Sequence, residues 1–140
     1  MRVKKNQGRP KEKSGLRILV VDDDSLNQRL LGIVLTRDNH IITSAYRGKE
    51  VLELTTKKQF DLIFMDIQIP DMDGLQISKH IRQSNSLNSQ TPIVVLTAQA
   101  SDFKTLEDCL DKGIINDCLH KPFKPNHIEQ VIATIQTGKD

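Results

Sequence analysis

The sequence predicts an α/β fold, a doubly wound five-stranded parallel sheet with helices on both faces. Three observations predict it. Short apolar runs of strand length alternate with stretches of helical periodicity along nearly the whole chain, the pattern of a parallel sheet with crossover helices. One run, Leu62-Ile63-Phe64-Met65, is apolar throughout, as suits a strand covered on both faces. Four strands end in a carboxylate, a hydroxyl or a lysine, at the sheet edge where ligands of open α/β sheets bind.

At 140 residues the chain is one domain, long enough to bury a core. Its apolar runs fall far short of the roughly 18 residues of a membrane span. No signal peptide is recognisable, so a cytoplasmic location and no membrane partner are expected. Cys109 and Cys118 are too few for a disulfide framework. The formal net charge of +2 conceals an asymmetry. Residues 1–15 hold six of the 20 Lys/Arg and one of the 18 acids, leaving 14 basic and 17 acidic residues beyond them. This lead-in has almost no apolar side chains and reads as a disordered basic tail, with the domain at 16–138. A basic arm could touch nucleic acid or a membrane surface. A solubilising tail or a linker from a larger chain is the simpler reading, and the acidic, aromatic-poor remainder argues against a nucleic-acid partner.

The first strand is Leu16–Val21, followed by Asp22-Asp23-Asp24. At about 4 Å and an effective dielectric of about 20, a pair of like charges costs on the order of 4 kcal/mol. One carboxylate, with Ser25, can cap the next helix; the others call for protonation, separation into water, or a cation. The helix from Ser25 to about Asp38 spreads Leu26, Leu30, Leu31, Ile33, Val34 and Leu35 over roughly 200° of its surface. Either the core face is broad, or one edge at Leu26 and Ile33 is left for a partner. Ile41–Ala45 is a shorter, more polar strand, suited to a sheet edge. A second helix, Gly48 to Lys58, turns Val51, Leu52 and Leu54 inward.

Leu62–Asp66 reads as an apolar strand that ends in a carboxylate. In Ile69-Pro70-Asp71-Met72-Asp73-Gly74 the proline and acids mark a turn, and Asp71 or Asp73 caps a third helix to about Ser84. The D-x-D-G resembles a calcium loop, but a loop of about 12 residues with Gly74 sixth needs Glu last; the chain has His80 there. After the polar loop Ser84–Gln90, Pro92–Leu96 is a buried strand ending in Thr97 and Ala98. Ser101 caps a fourth helix to about Lys112, and Gly113 stops it. Ile114–Leu119 is the fifth strand, running into His120-Lys121-Pro122. The last helix, about Pro125 to Thr137, aligns Ile128, Val131, Ile132 and Ile135 on one face.

Such a sheet gathers Asp22 and Asp23, Asp66, Thr97 and Lys121 at one edge. Three carboxylates and one ammonium leave a charge of −2, which one divalent cation neutralises. An all-oxygen donor set favours Mg²⁺. A neutralised pocket with a hydroxyl and a lysine suits an incoming phosphoryl group, and a carboxylate can take it up as an aspartyl phosphate. A lone strand-end Asp would be a cap or turn former; four reactive strand ends displace that reading.

In order, ILVVDDD…NQRLL, FDLIFMDIQIPDMDGL, PIVVLTA and CLHKPF resemble the receiver domain of two-component response regulators, most of all the receivers of hybrid sensor histidine kinases. The resemblance runs from about Leu16 to Thr137 and implies a flavodoxin-like receiver fold acting as phosphoacceptor in a phosphorelay. Carried onto this sequence, Asp66 is the phosphoacceptor. Asp23 and Asp66 bind Mg²⁺ through their carboxylates, Gln68 through its backbone carbonyl and Asp22 through water. Thr97 hydrogen-bonds the phosphoryl oxygens, Lys121 pairs with them, and the Lys121–Pro122 bond is cis. The donor is a phosphohistidine on a histidine kinase or histidine phosphotransfer domain. A downstream output protein or domain reads the face of the fourth helix and fifth strand. The implied chemistry is self-catalysed phosphotransfer and autodephosphorylation, that of a signalling phosphoacceptor and not of an enzyme with a separate substrate.

Three features depart from the family's pattern. Cys118 stands where an aromatic switch residue is common, which argues against a large rotamer toggle. Gln68 is polar where a larger apolar residue is common; it and Gln99 are expected to position or block the attacking water. No output domain is expected after Asp140. His40, His80, His120 and His127 lack metal-ligand spacing and read as surface groups, and the cysteines read as packing residues. Two other functions compete. A phosphohydrolase of the haloacid dehalogenase type needs a second Asp where this chain has Gln68. A module that docks partners with little phosphorylation would have lost site residues, and all are present.

Overall fold

In the computed structural model, which describes residues 15–83, 87–98 and 103–138, the strands are all parallel. They are β1 Arg17–Val21, β2 Ile41–Ala45, β3 Leu62–Asp66, β4 Ile93–Thr97 and β5 Asp117–His120. Among the described residues these five form one sheet in the order β2-β1-β3-β4-β5. Helices α1 Ser25–Arg37, α2 Gly48–Lys57, α3 Gly74–Gln83, α4 Phe103–Asp111 and α5 Pro125–Gly138 connect and follow them. The direction of winding reverses between β1 and β3, which marks their carboxyl ends as the binding crevice.

Strand side chains alternate between faces, and here both faces are covered. Leu19, Val21, Ile63, Met65, Ile93 and Val95 pack with Val51, Ile77, Ile81, Leu106 and Cys109 of α2, α3 and α4. Ile18, Val20, Leu62, Phe64, Val94 and Leu96 pack with Leu31, Val34 and Leu35 of α1 and Ile128, Val131 and Ile132 of α5. Every residue of β3 and β4 is buried, which is why those strands carry no polar alternation. At the edge, β2 is largely open to solvent. None of the described helices is long and apolar enough to cross a membrane.

Most expected boundaries hold to within a residue or two, and β5 is the exception. It begins at Asp117 rather than Ile114. The amides of Ile114 and Ile115 donate back to the Cys109 carbonyl, and Ile115 is buried beneath the turn. An apolar pair filling the core from a turn reads, in sequence, like a strand start. Gly113 does end the fourth helix, with φ +75°. Of the expected basic tail 1–15, residues 1–14 lie outside the described residues, as do Gln99, the Ser101 cap and Ser84, the expected end of the third helix. The Gly15 amide, by contrast, donates to the Asn39 carbonyl at 3.0 Å.

The breadth of the apolar arc on α1 resolves into two faces. Leu31, Val34 and Leu35 are buried, whereas Leu26 is 72% and Ile33 63% exposed. The outer pair is therefore not part of this domain's core.

His40 corrects the reading of the histidines. His80 and His120 are exposed, but His40 is only 5% exposed and its Nδ1 accepts from the Leu16 amide at 3.2 Å. Burial pushes its pKa below the ordinary 6.5, with Asp38 partly opposing. The unfolded chain therefore binds the proton more readily than the fold does. This residue's contribution to stability is complete above about pH 6.5 and is lost as pH falls below it. Urea titrations of wild type and His40→Gln should diverge in that sense between neutral and mildly acidic pH. Parallel pH profiles would contradict it.

Candidate functional site

The carboxyl ends of β1, β3, β4 and β5 meet at one cavity of about 440 Å³. It is lined by Asp23, Asp24, Asp66, Ile67, Gln68, Thr97, Ala98 and Lys121. Asp66 ends the central strand and is 4% exposed. Its Oδ1 accepts from the Gln68 amide at 3.1 Å, and its Oδ2 accepts from Lys121 Nζ at 3.2 Å. Asp22 is fully buried after β1; its Oδ1 accepts from the Asp24 amide at 2.9 Å, and its Oδ2 lies 3.2 Å from the same Lys121 Nζ. One carboxylate oxygen from each of Asp22, Asp23 and Asp66 lies within 4.8 Å of the others. Thr97 is buried at the end of β4, and its carbonyl accepts from the Lys121 amide at 2.8 Å. The Lys121–Pro122 bond that follows is cis.

The electrostatics follow from this crowding. The Asp66 carboxyl is pushed up from its ordinary 3.8 to about 6, by burial first and by the Asp22 charge second, with Lys121 opposing. For Lys121, burial alone would lower the pKa, but the Asp22 and Asp66 charges outweigh it and the ammonium form is favoured overall. One ammonium does not neutralise three carboxylates. Lys121 hydrogen-bonds Asp66, while Asp22 Oδ2 is buried with no aligned donor. A buried acceptor without an aligned hydrogen bond is costly even beside an ammonium it shares with a second carboxylate. Together with the excess negative charge, it fits a hard divalent cation held by oxygen ligands.

All six residues singled out in sequence thus meet at this edge, Gln68 by its main chain. Beyond these six, Gln28 and the acids of the two caps also shape the site. Gln28, buried on α1, donates through Nε2 to the carbonyls of Val20 (3.1 Å), Asp22 (3.0 Å) and Ala45 (3.0 Å). It thereby pins the ends of β1 and β2 where the acids emerge; a polar residue amid the leucines of an amphipathic helix was the only hint. Asp24 caps α1 through the Leu26 amide and also lines the cavity. Of the two turn acids, Asp73 caps α3 through the Leu75 amide. Asp71 instead accepts from Gly48 and Lys49 at the start of α2.

Cys109 is buried, and Cys118 is half-buried against the same core layer. Burial raises both thiols, Cys118 to about 11, so they remain protonated packing groups near neutral pH. The dehalogenase-type alternative gains no support. Gln68, two residues after Asp66, is exposed and carries no acid.

The family model for the response regulator receiver domain matches residues 18–133. Transcriptional regulatory protein SrrA of Staphylococcus aureus is 34% identical over 111 residues, which cover 79% of this chain and 44% of SrrA. The chain thus spans less than half the length of that relative. Among solved structures, chemotaxis response regulator CheY4 of Vibrio cholerae matches with TM-score 0.77 and 27% identity, over 87% of this chain and 99% of that one. The receiver domain of sensor histidine kinase PA1611 from Pseudomonas aeruginosa was solved with a magnesium ion coordinated in its active site cleft. It matches with TM-score 0.77 and 29% identity, over 89% of this chain and 99% of that one.

Proposed function

This chain belongs to the response regulator receiver domain family of two-component systems, and from that membership we propose that Asp66 accepts a phosphoryl group from a phosphohistidine in a Mg²⁺-dependent reaction. One observation carries the reading. A buried strand-end carboxylate is faced at 3.2 Å by a lysine that a second buried carboxylate shares, beside a cavity that also exposes Asp23.

The nucleophile is an ionised Asp66 oxygen. The Lys121 ammonium beside Oδ2 and the Gln68 amide on Oδ1 both favour the ionised form and fix the carboxylate's orientation. Asp23, Asp66 and the Gln68 carbonyl would hold Mg²⁺ directly, and Asp22 through water. When bound, Mg²⁺ neutralises the excess acid and stabilises charge on the phosphoryl oxygens. The bond from phosphorus to Asp66 forms as the bond to the donor imidazole breaks, and the electron pair leaves on that nitrogen. Positioning and charge supply most of the acceleration. Thr97 then donates its hydroxyl to a phosphoryl oxygen, and Lys121 turns from carboxylate to phosphoryl.

A group carrying about −2 replaces a carboxylate of −1, and the α4–β5 face shifts population toward the form a downstream output protein or domain reads. With Cys118 in place of an aromatic, that shift works through the packing of α4 on β5. Exposed Gln68 then positions or blocks the hydrolytic water. The domain occupies 16–138, works in the cytoplasm, and has no substrate beyond its own phosphorylation and dephosphorylation. Uptake of phosphoryl from acetyl phosphate that depends on Mg²⁺ tests the reading; no uptake overturns it.

The protein donor, a histidine kinase or histidine phosphotransfer domain, docks on the outer edge of α1. Leu26 and Ile33 are exposed there, and Leu26 sits two residues from Asp24, a cavity-lining residue. Replacing both with serine should slow transfer from a phosphorylated donor protein about tenfold or more, the loss typical of removing apolar anchors. Uptake from acetyl phosphate should be unchanged. Equal loss with both donors, or none with either, would contradict this docking edge.

A further inference from the structure

We propose that Asp71 is a positioning residue for the cation: by capping α2 from the neighbouring loop, it fixes the main chain of Gln68. The inference rests on the Mg²⁺ reading of the site given above.

Helix α2 opens without a side-chain hydrogen bond from its own N-cap residue. Its N-cap is Arg47, and a guanidinium has no acceptor to offer. The first two helical amides are met from the β3–α3 loop instead. Asp71 Oδ1 accepts from the Gly48 amide at 2.8 Å and Oδ2 from the Lys49 amide at 3.1 Å. Both carboxylate oxygens are therefore engaged, and those two amides hold the Asp71 carboxyl below its ordinary pKa. The next residue reinforces the contact. A Cβ built on Gly48 would lie 2.8 Å from Met72 Sδ and 2.9 Å from Met72 Cβ, so the loop rests closely on the start of α2.

The inner limb of the same loop is the wall of the site. The Gln68 amide donates to Asp66 Oδ1, Gln68 pairs with Asp73 in an antiparallel bridge, and the Gly74 amide donates to the Ile67 carbonyl at 2.8 Å. Residues 67–74 thus form a small frame, with one side on Asp66 and the other on α2. Removing the Asp71 carboxylate frees the outer side and leaves the Gln68 carbonyl less fixed.

A plain helix cap would give the same hydrogen bonds, and Glu50 separates the two roles. Its Oε1 accepts from the Tyr46 and Arg47 amides at 2.7 and 3.1 Å, so these hydrogen bonds secure the same helix start from the β2–α2 segment. The test is calorimetric titration of the full chain with MgCl₂, at a temperature where circular dichroism shows every variant folded. Asp71→Ala should weaken Mg²⁺ binding about tenfold or more, as removal of outer-shell partners does. Asp71→Asn, which keeps one acceptor, should fall between Asp71→Ala and wild type, and carries the comparison if Asp71→Ala does not fold. Glu50→Ala should melt lower yet bind Mg²⁺ as tightly as wild type. Wild-type affinity in Asp71→Ala, or equal weakening in Glu50→Ala, overturns the positioning role alone. A wild type that binds no Mg²⁺ overturns the reading of the site, and this inference with it.

Discussion

Asp66→Asn will take up no phosphoryl group from acetyl phosphate and Mg²⁺ under conditions that modify the wild type. The substitution keeps the size and shape of the side chain but removes the nucleophile, so the fold should persist while the chemistry stops. It should also alter stability in a defined direction. With the Asp66 carboxyl pushed up from 3.8 to about 6, the folded chain binds the proton more readily than the unfolded chain between those values. Stability from this group therefore falls as pH rises through that window, and the penalty is complete above about pH 6. Asn removes the penalty, so at pH 7.5 without metal the variant should melt above wild type. Added Mg²⁺ should raise the melting temperature of wild type more than that of the variant, since a ligand stabilises in proportion to its affinity for the fold. Phosphoryl uptake retained by Asp66→Asn would mean another acceptor.

Among the described glycines, Gly74 should be the one least able to accept a methyl group. A Cβ there would lie 2.2 Å from the Asp66 carbonyl oxygen and 2.9 Å from Ile67 Cα. Both obstacles are main chain, so neither can swing aside; the strand end or the helix start must move. Overpacking of this kind costs about 1–3 kcal/mol. The larger effect is functional, because the atom displaced belongs to the residue assigned as acceptor. A misplacement of about 1 Å can cost about 10²-fold in rate. The nearest obstacles to Gly48→Ala are side-chain atoms of Met72 and Ile77, and Gly32→Ala meets nothing within 4 Å. Urea denaturation and initial rates with acetyl phosphate should rank the three with Gly74→Ala far the worst and Gly32→Ala near wild type. A Gly74→Ala protein that matches Gly32→Ala would refute the close-approach argument.

How much of this was legible in the sequence depends on the range of the interaction. The unbroken apolarity of Leu62–Met65 reported burial on both faces, because solvent exposure is written into each residue in turn. The convergence of Asp22, Asp23, Asp66, Thr97 and Lys121 was legible for a topological reason. In a parallel sheet all strands end at the same edge, so chemistry at strand ends is gathered whatever the loops do. What lay hidden depends on pairings between distant segments. His40 is buried and accepts from the Leu16 amide, 24 residues before it. Asp71 serves a helix that begins 23 residues before it. Ile114 and Ile115 fill core space from a turn. Neither periodicity nor propensity carries that information, since each is a property of a local window.

The most direct measurement of the central claim is the chemical location of the phosphoryl group. Wild-type protein treated with acetyl phosphate and Mg²⁺ is reduced with borohydride, which converts an aspartyl phosphate to homoserine, and its peptides are read by tandem mass spectrometry. The account predicts homoserine at position 66 and at no other aspartate, absent when Mg²⁺ is chelated. Reduction at Asp22 or Asp23 instead, or at no position in protein shown to be folded, would contradict it.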